Sequence, residues 1–220
     1  MKVDGSPNYL GYAVSSAGDV NGDGYKDIIV GAYARDGLKG AVFVIYGHPN
    51  FSSSLADLNL TTLDPKKTGF IIVGNAASDF LGYSVSAGKI NEDEYDDIII
   101  GAPNRNSLRG QAYVSFGRNK TSSANTNLAT DSFSSTLRGF FVVGSDITGN
   151  FGRQTSTAGD VDGDGYDDII IGSFMALSEK GTAYVIYGGK GMPNLFDLSS
   201  TTLEPATTGF TITDETSPDR

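Results

Sequence analysis

The sequence predicts an all-β protein built from three similar units of about 70 residues, and three observations support this prediction. First, four sets of short sequence markers recur at spacings of 70 or 71 residues. Second, each unit contains four short segments rich in Ile, Val, Tyr and Phe, bounded by turn-forming Gly, Asp, Asn and Ser. Third, no window of about eleven residues shows the periodicity of an amphipathic helix.

The repeated markers stand at matching places in each unit. A glycine precedes the first strand, another glycine lies near the end of the second strand, an aromatic-glycine pair closes the third strand, and a Gly-Phe pair opens the fourth. The glycines that precede the first strands are Gly11, Gly82 and Gly152. A fixed period of this kind is typical of tandem structural repeats. We therefore predict three units, at residues 4–74, 75–144 and 145–215.

The predicted strands of the first unit are Tyr12–Ser16, Ile28–Ala32, Ala41–Tyr46 and Phe70–Val73. The stretch between the third and fourth strands is predicted to be a turn-rich outer loop with an additional short strand. Four strands per unit, repeated in tandem, are typical of the blades of a β-propeller. A β-sandwich is the alternative all-β architecture, but a sandwich does not repeat its loops at a fixed period.

Composition excludes several functional classes. The chain has 220 residues, a formal net charge of −10 and no cysteine, which excludes a disulfide framework, a thiol nucleophile and a cysteine-ligated metal. The acidic balance argues against a nucleic-acid partner, because Lys and Arg neutralise phosphates. No apolar run approaches the ~20 residues of a membrane helix. The single histidine, His48, lies outside every recurring position, and the repeat offers no activated nucleophile, so we expect a protein that is not an enzyme.

The loop between the first and second strands of each unit carries the most distinctive chemistry. These loops are residues 19–27 (loop 1), 89–97 (loop 2) and 160–168 (loop 3), and together they hold half of the 26 acidic residues. Loops 1 and 3 have oxygen-bearing side chains at positions 1, 3, 5 and 9, a glycine at position 6 and a tyrosine carbonyl at position 7. A flexible loop that offers only oxygen ligands suits Ca²⁺ better than Mg²⁺. The predicted ligands are Asp19, Asn21, Asp23, Tyr25 and Asp27 in loop 1, and Asp160, Asp162, Asp164, Tyr166 and Asp168 in loop 3.

Two alternatives to a calcium loop between strands were considered. An EF-hand needs a bidentate Glu at position 12, where these loops have Val30 and Ile171 inside a predicted strand. An acidic turn without metal is the other alternative, but clustered carboxylates without a counter-ion repel one another.

Loop 2 departs from the pattern of the other two loops. Lys89 replaces aspartate at position 1, and Glu94 replaces glycine at position 6, where a left-handed conformation is costly for any residue with a side chain. We therefore predict that loop 2 binds calcium weakly or not at all, and that the Lys89 ammonium partly takes the place of the cation. The alternative is a weaker site, formed by Asn91, Asp93, Tyr95 and Asp97.

The motifs that flank these loops carry a family resemblance. A Phe-Gly pair, Phe151–Gly152, opens the first strand, and a Gly-Ala-Pro motif, Gly101–Pro103, closes the second. Together with the DxDxDGxxD loop, they resemble the FG-GAP repeat of the integrin α-subunit propeller and its relatives, over essentially the whole chain. The resemblance implies a β-propeller whose Phe-Gly strand lines the central channel, with calcium in the loops between first and second strands. Lys89 and Glu94 break the family pattern.

Three blades do not close a ring, since propellers usually have about 4–8 blades and seven are usual in the family. We expect either a segment of a longer propeller or a homo-oligomer, in which two copies would supply six blades.

The resemblance implies a calcium-stabilised recognition module for adhesion or ligand binding, with a protein or extracellular-matrix ligand. The loops between second and third strands would form a basic rim on the ligand face, and its candidate residues are Arg35, Lys39, Arg105, Arg109 and Lys180. Calcium sites of extracellular modules bind at ~10⁻⁴–10⁻³ M and would be empty in the cytosol, so we expect an extracellular or cell-surface location. Two alternative functions are a non-catalytic scaffold attached to a secreted enzyme such as a phospholipase, and a carbohydrate-binding propeller, which the absence of Trp weakens.

Overall fold

The structure, a computed structural model, describes residues 7–49, 60–122, 125–127 and 139–214. The described residues form three β-sheets, each built on a meander of four antiparallel strands, as the sequence predicts. The first meander consists of β1 (Ala13–Gly18), β2 (Asp27–Ala32), β3 (Ala41–Ile45) and β4 (Gly69–Val73). The second consists of β5 (Ser84–Gly88), β6 (Asp97–Ala102), β7 (Gln111–Ser115) and β9 (Gly139–Val143). The third consists of β10 (Gln154–Gly159), β11 (Asp168–Ser173), β12 (Thr182–Ile186) and β14 (Gly209–Thr213).

Each of the first two sheets gains a fifth strand from the outer loop of the next unit. The strand β8 (Thr126–Asn127) pairs in parallel with β4, and β13 (Leu195–Asp197) pairs in parallel with β9. The additional short strand predicted in the outer loop is thus confirmed in the second and third units. The matching prediction for the first unit falls partly on residues 50–59, which lie outside the described residues.

Helical structure in the described residues is limited to single turns. The loops between second and third strands contain single turns, α1 (Arg35–Leu38) and α2 (Ala176–Glu179), whose inner residues have positive φ and so do not follow a right-handed helix. Two short 3-10 helices lie at Leu60–Thr62 and Lys120–Ser122. Within the described part of the chain, no helix is long and apolar enough to cross a membrane.

The hydrophobic core lies between neighbouring sheets. One buried cluster joins residues of the first and second sheets, and another joins the second and third. Equivalent residues show this packing: Ile98 and Ile169 are 1% and 0% exposed, whereas Ile28, at the same position of the first sheet, is 45% exposed. Burial of these strand faces holds the sheets side by side as blades, and places the three acidic loops next to one another.

A β-bulge distinguishes the first strands of the first and third blades. The register of β1 against β2 shifts between Ser16 and Gly18, and that of β10 against β11 shifts between Thr157 and Gly159. The pairing of β5 with β6 has no such shift, because the second unit has one residue fewer before its loop. A bulge beside a loop changes the direction in which the loop leaves the strand.

Candidate metal centre

The aspartate at position 9 anchors each of the three acidic loops. Asp27, Asp97 and Asp168 begin the second strands and are 1%, 0% and 0% exposed. Each accepts a main-chain N–H from position 2 of its own loop and another from the glycine after the third strand, as Asp27 does from Val20 at 3.0 Å and Gly47 at 2.7 Å. This carboxylate therefore joins the loop to the third strand in every blade.

Burial makes these carboxylates hard to ionise. Loss of hydration raises the pKa of Asp27 to about 6 and that of Asp97 to about 7, and it also raises the pKa of Asp168. Main-chain N–H donors lower these pKa values only in part. A cation close to the carboxylate would offset the cost of keeping its charge in a buried place.

The aspartate at position 1 shapes loops 1 and 3. Asp160 accepts hydrogen bonds from the N–H groups of Gly163, Asp164 and Gly165 at 2.7, 3.0 and 3.0 Å. Asp19 accepts the equivalent three bonds in loop 1. The glycines at positions 4 and 6 have positive φ in both loops, with φ values of 83° and 97° for Gly163 and Gly165. The sequence analysis did not identify a role for the glycine at position 4, although loops 1 and 3 share it as Gly22 and Gly163.

Three of the predicted ligands converge in loop 3. Carboxylate oxygens of Asp160, Asp162 and Asp168 lie within 4.8 Å of one another. Two of these side chains are exposed and the third is buried, so an ion would enter from solvent and meet the buried carboxylate. Asp164 instead accepts the N–H of Tyr166 at 2.9 Å. Its role as a ligand stays a prediction, as does that of the Tyr166 carbonyl.

Loop 1 contains a buried oxygen that a cation would satisfy. Asn21 is 3% exposed, and its Nδ2 donates to both carboxylate oxygens of Asp27. Its Oδ1 is buried and has no hydrogen-bond partner. A buried amide oxygen without a partner is costly, and calcium readily accepts such an oxygen as a ligand. The residues of loop 1 therefore fit a calcium ion, with Asn21 at the place that Asp162 holds in loop 3.

A lysine from the second blade reaches into loop 1. Lys120 Nζ forms an ion pair with Asp23 Oδ2, and the ammonium lies 5.1 Å from the centre of the Tyr46 ring. Asp23, a predicted ligand, is therefore engaged by a side-chain cation. Calcium would have to compete with Lys120 for this carboxylate.

Loop 2 keeps the anchor but has different contacts at its ligand positions. Lys89 Nζ donates to the main-chain carbonyl of Glu94 at 3.2 Å, and in the described part of the chain it pairs with no carboxylate. Asn91 Nδ2 donates to Asp93 Oδ2 at 2.9 Å, so these two predicted ligands bind each other. The expected left-handed strain at Glu94 is absent, because the described non-glycine residues with positive φ do not include it. The loop follows another path instead.

The candidate ligand-face residues occupy varied surroundings. Arg105 Nη1 pairs with Asp79 at 2.8 Å, and Arg109 Nη2 pairs with Asp197 of the third unit at 3.0 Å. Arg35 lies over the ring of Phe43, Lys39 is half-buried, and Lys180 is exposed. Binding of a ligand by these residues stays a prediction.

An aromatic cluster lies at the ends of β1 and β2 that are opposite to loop 1. The ring of Tyr33 stacks on Tyr9 at 5.3 Å and contacts Tyr12 and Tyr83 at 4.7 and 5.1 Å, while the Tyr12 and Tyr83 hydroxyls share a hydrogen bond of 2.7 Å. Tyr9 and Tyr12 are 52% and 51% exposed. Arg153 covers one end of the cluster, 5.0 Å from the centre of the Tyr83 ring. The sequence analysis did not identify this surface.

Comparison with known proteins identifies two of the three units directly. Residues 10–45 and 151–186 match the FG-GAP repeat family, and these segments include loops 1 and 3. The chain is 32% identical to integrin alpha-4 of Xenopus laevis over 174 residues, which are 78% of this chain and 15% of that protein.

Two further relatives extend the comparison. Integrin alpha pat-2 of Caenorhabditis elegans is 31% identical over 195 residues, 82% of this chain and 14% of the relative. The phosphatidylinositol-glycan-specific phospholipase D of Homo sapiens is 32% identical over 214 residues, 90% of this chain and 22% of the relative. The chain thus matches less than a quarter of the length of each of these three relatives.

Proposed function

The chain carries FG-GAP repeats and is homologous to integrin alpha subunits and to phosphatidylinositol-glycan-specific phospholipase D, and from this premise we propose that it is a calcium-stabilised, non-catalytic recognition module. The convergence of Asp160, Asp162 and Asp168 is the observation that carries the proposal. Calcium bound there would connect the end of the first strand to the start of the second.

The contribution of calcium would be structural. Asp168 is fully buried and its pKa is raised by loss of hydration. A bound cation would favour the ionised form of this carboxylate, which also holds the main chain of Val161 and Gly188. The ion would therefore stabilise the blade rather than activate a water molecule or a substrate.

Recognition would use the opposite end of the blades. The exposed tyrosines of the aromatic cluster lie beside the loops between second and third strands, which carry the predicted basic rim. Exposed aromatic patches commonly mark interaction surfaces, and a protein or extracellular-matrix ligand is the proposed partner. An extracellular or cell-surface location fits sites of ~10⁻⁴–10⁻³ M affinity, since these fill at extracellular calcium concentrations.

Isothermal titration of the 220-residue chain with calcium, after removal of calcium with a chelator, tests the metal part of the proposal. We expect saturable binding, and we expect the variant Asp160→Ala with Asp162→Ala to lose one site. Absence of saturable binding at 10⁻³ M calcium, the weak end of the expected range, would reject it.

Binding assays with immobilised extracellular-matrix proteins test the recognition part, with Tyr12→Ala as the surface variant. Tyr25→Ala, at the other end of the blade, is the matched control, because Tyr25 would contribute only its main-chain carbonyl to calcium. Equal binding by wild type and Tyr12→Ala would contradict a role for the aromatic cluster.

A second candidate function is a scaffold within a larger enzyme, and the similarity to phosphatidylinositol-glycan-specific phospholipase D over 90% of the chain favours it. In that case the 220-residue chain should stabilise a catalytic domain expressed with it, and should bind no isolated matrix protein.

Carbohydrate binding is a third candidate, favoured by the exposed rings of Tyr9 and Tyr12. A glycan array probed with wild type and with Tyr12→Ala tests this candidate. Carbohydrate binding predicts glycans that bind the wild type and do not bind the variant.

A further inference from the structure

Contacts of the residue at position 8 with the main chain at position 1 join loop 2 to loop 1 and loop 3 to loop 2. Asp96, at position 8 of loop 2, accepts the N–H of Asp19 on its Oδ2 at 2.6 Å. The N–H of Asp96 in turn donates to the carbonyl of Asp19 at 3.1 Å. One residue of loop 2 thus holds both main-chain polar groups of the residue at position 1 of loop 1.

The next pair of blades repeats this arrangement. Asp167, at position 8 of loop 3, accepts the N–H of Lys89 at 2.8 Å and donates its own N–H to the Lys89 carbonyl at 2.8 Å. The residue that is held differs, an aspartate in one case and a lysine in the other, but the contact is the same. The position-8 contact is therefore a feature of the repeat and not of one loop.

The glycine that precedes position 1 makes room for the carboxylate. A Cβ atom added to Gly18 would collide with the side chain of Asp96, and one added to Gly88 would lie 2.8 Å from Asp167 Oδ2. At the equivalent Gly159, nothing lies within 4 Å of an added Cβ. The close approach at Gly18 fixes the relative position of loops 1 and 2.

We propose that Asp96 is a positioning residue for calcium in loop 1. It fixes the main chain of Asp19, whose carboxylate accepts three N–H groups of its own loop and is a predicted ligand. The affinity of loop 1 for calcium then depends on its contact with the second blade. By linkage, calcium in loop 1 strengthens that contact by the same factor. The inference rests on the proposed function, namely that loop 1 binds calcium.

The charge of Asp96 gives a rival explanation for any effect of its removal. Its side chain is 13% exposed and pairs with Lys26 Nζ at 3.3 Å, so loss of the negative charge alone would weaken a nearby cation. Asp96→Asn removes the charge but keeps an oxygen that can accept from Asp19. Asp96→Ala removes both the charge and the acceptor. The difference between the two variants isolates the hydrogen bond.

The experiment measures binding at loop 1 alone. Terbium is the probe, excited through tyrosine because the chain has no tryptophan, and calcium competes with it. Asp160→Ala with Asp162→Ala removes the site in loop 3 from the background. We expect Asp96→Ala to raise the apparent Kd of loop 1 about fivefold to tenfold, the effect of losing one ordinary hydrogen bond, and Asp96→Asn to raise it about twofold.

A matched background separates positioning from general destabilisation. In protein that carries Asp19→Ala, loop 1 is inactivated and loop 3 gives the signal. Addition of Asp96→Ala to this protein should leave the Kd of loop 3 unchanged within about twofold. The proposal would be overturned if Asp96→Asn and Asp96→Ala raised the Kd of loop 1 equally, or if neither raised it. It would also be overturned if Asp96→Ala weakened binding at loops 1 and 3 equally. If the protein with intact Asp19 and Asp96 binds no terbium or calcium in loop 1, the proposed function fails for that loop, and the positioning role fails with it.

Discussion

Loops 1 and 3 bend around the candidate cation site, whereas loop 2 occupies the same place in its blade and follows a different path. The position-9 aspartate is buried and holds the same two N–H groups in all three loops. At position 1, loops 1 and 3 have an aspartate that gathers three N–H groups, while loop 2 has Lys89. The buried anchor at position 9 is thus formed whichever residue stands at position 1.

The differences in loop 2 occur together. Besides Lys89, it has Glu92 and Glu94 where the other loops have glycines with positive φ, and it lacks the bulge that precedes them. A loop that does not curl around an ion would not require glycines in the left-handed conformation. If loops 1 and 3 bind calcium as we propose, the comparison implies that this repeat needs a particular backbone path as well as a set of oxygens.

Removal of calcium should have the largest effect. At about one hundred times the Kd, each site stabilises the folded state by about 2.7 kcal/mol, so two sites give roughly 5 kcal/mol. For a chain of this size, we expect a chelator to lower Tm by about 10 °C or more. Calorimetry with and without chelator measures this, with Mg²⁺ replacement as the control. An unchanged Tm would contradict structural calcium in both loops.

Conversion of loop 2 into a calcium loop should have the next largest effect. Lys89→Asp, Glu92→Gly and Glu94→Gly restore the side chains and glycines, and one serine inserted after Val85 restores the length of a bulged strand. We expect a third site by calcium titration only when the insertion is present, worth up to about 2.7 kcal/mol at one hundred times its Kd. A third site of full affinity in the substituted protein without the insertion would show that the bulge is dispensable.

The buried carboxylate of loop 2 should impose a pH dependence on the calcium-free protein. Burial raises the pKa of Asp97 from 3.8 to about 7, with Asp93 adding to the increase. The folded state then holds a proton that the unfolded chain has lost, so this group stabilises the fold at low pH. That contribution disappears as pH rises from about 4 through about 7.

Urea unfolding at pH 5 and pH 8, in chelator, measures the effect of Asp97. We expect the wild type to lose more stability over this interval than Asp97→Asn, because only the wild type loses the contribution of Asp97. Asp27 and Asp168 contribute in the same direction in both proteins. An identical loss in the two proteins would contradict the raised pKa of Asp97. If the variant does not fold, NMR titration of the Asp97 carboxyl in the wild type gives the same answer.

The lysines that reach the loops should have the smallest effect. Lys120 pairs with Asp23 of loop 1, and Lys190, one position earlier in the third unit, pairs with Glu92 of loop 2 at 2.6 Å. Lys120→Gln should raise the calcium affinity of loop 1 about twofold to fivefold, because it frees a predicted ligand from an ion pair worth up to about 1 kcal/mol. Lys190→Gln is the matched control and should change no calcium affinity. A fall in affinity with Lys120→Gln would contradict the competition.

Local sequence signals were enough to predict the blades. The four strands of each unit follow from apolar segments bounded by turn residues, and the predicted Ile28–Ala32 differs from β2 by one residue. The partner of the additional short strand was not predictable, since β13 pairs with the preceding blade. Such pairing depends on how the blades pack, which periodicity does not report.

The acidic loops were predictable to the level of residue type but not of geometry. The pattern of oxygens identified Asp160, Asp162 and Asp168, which the structure brings together. The pairing of Lys120 with Asp23 and the contact of Asp96 with Asp19 cross from one blade to the next. The bulge could have been inferred from the spacing of the repeated glycines. Gly11 and Gly82, before the loops, are 71 residues apart, whereas Gly31 and Gly101, after them, are 70 apart, which indicates one missing residue in the second unit.

Calcium stoichiometry tests the central claim most directly. Isothermal titration of the calcium-free 220-residue chain with calcium should give two saturable sites. Asp19→Ala should remove one of them and Asp160→Ala the other. Three sites of similar affinity in the wild type, with one that survives both substitutions and is lost on Asp93→Ala, would contradict the distinction between loop 2 and its neighbours.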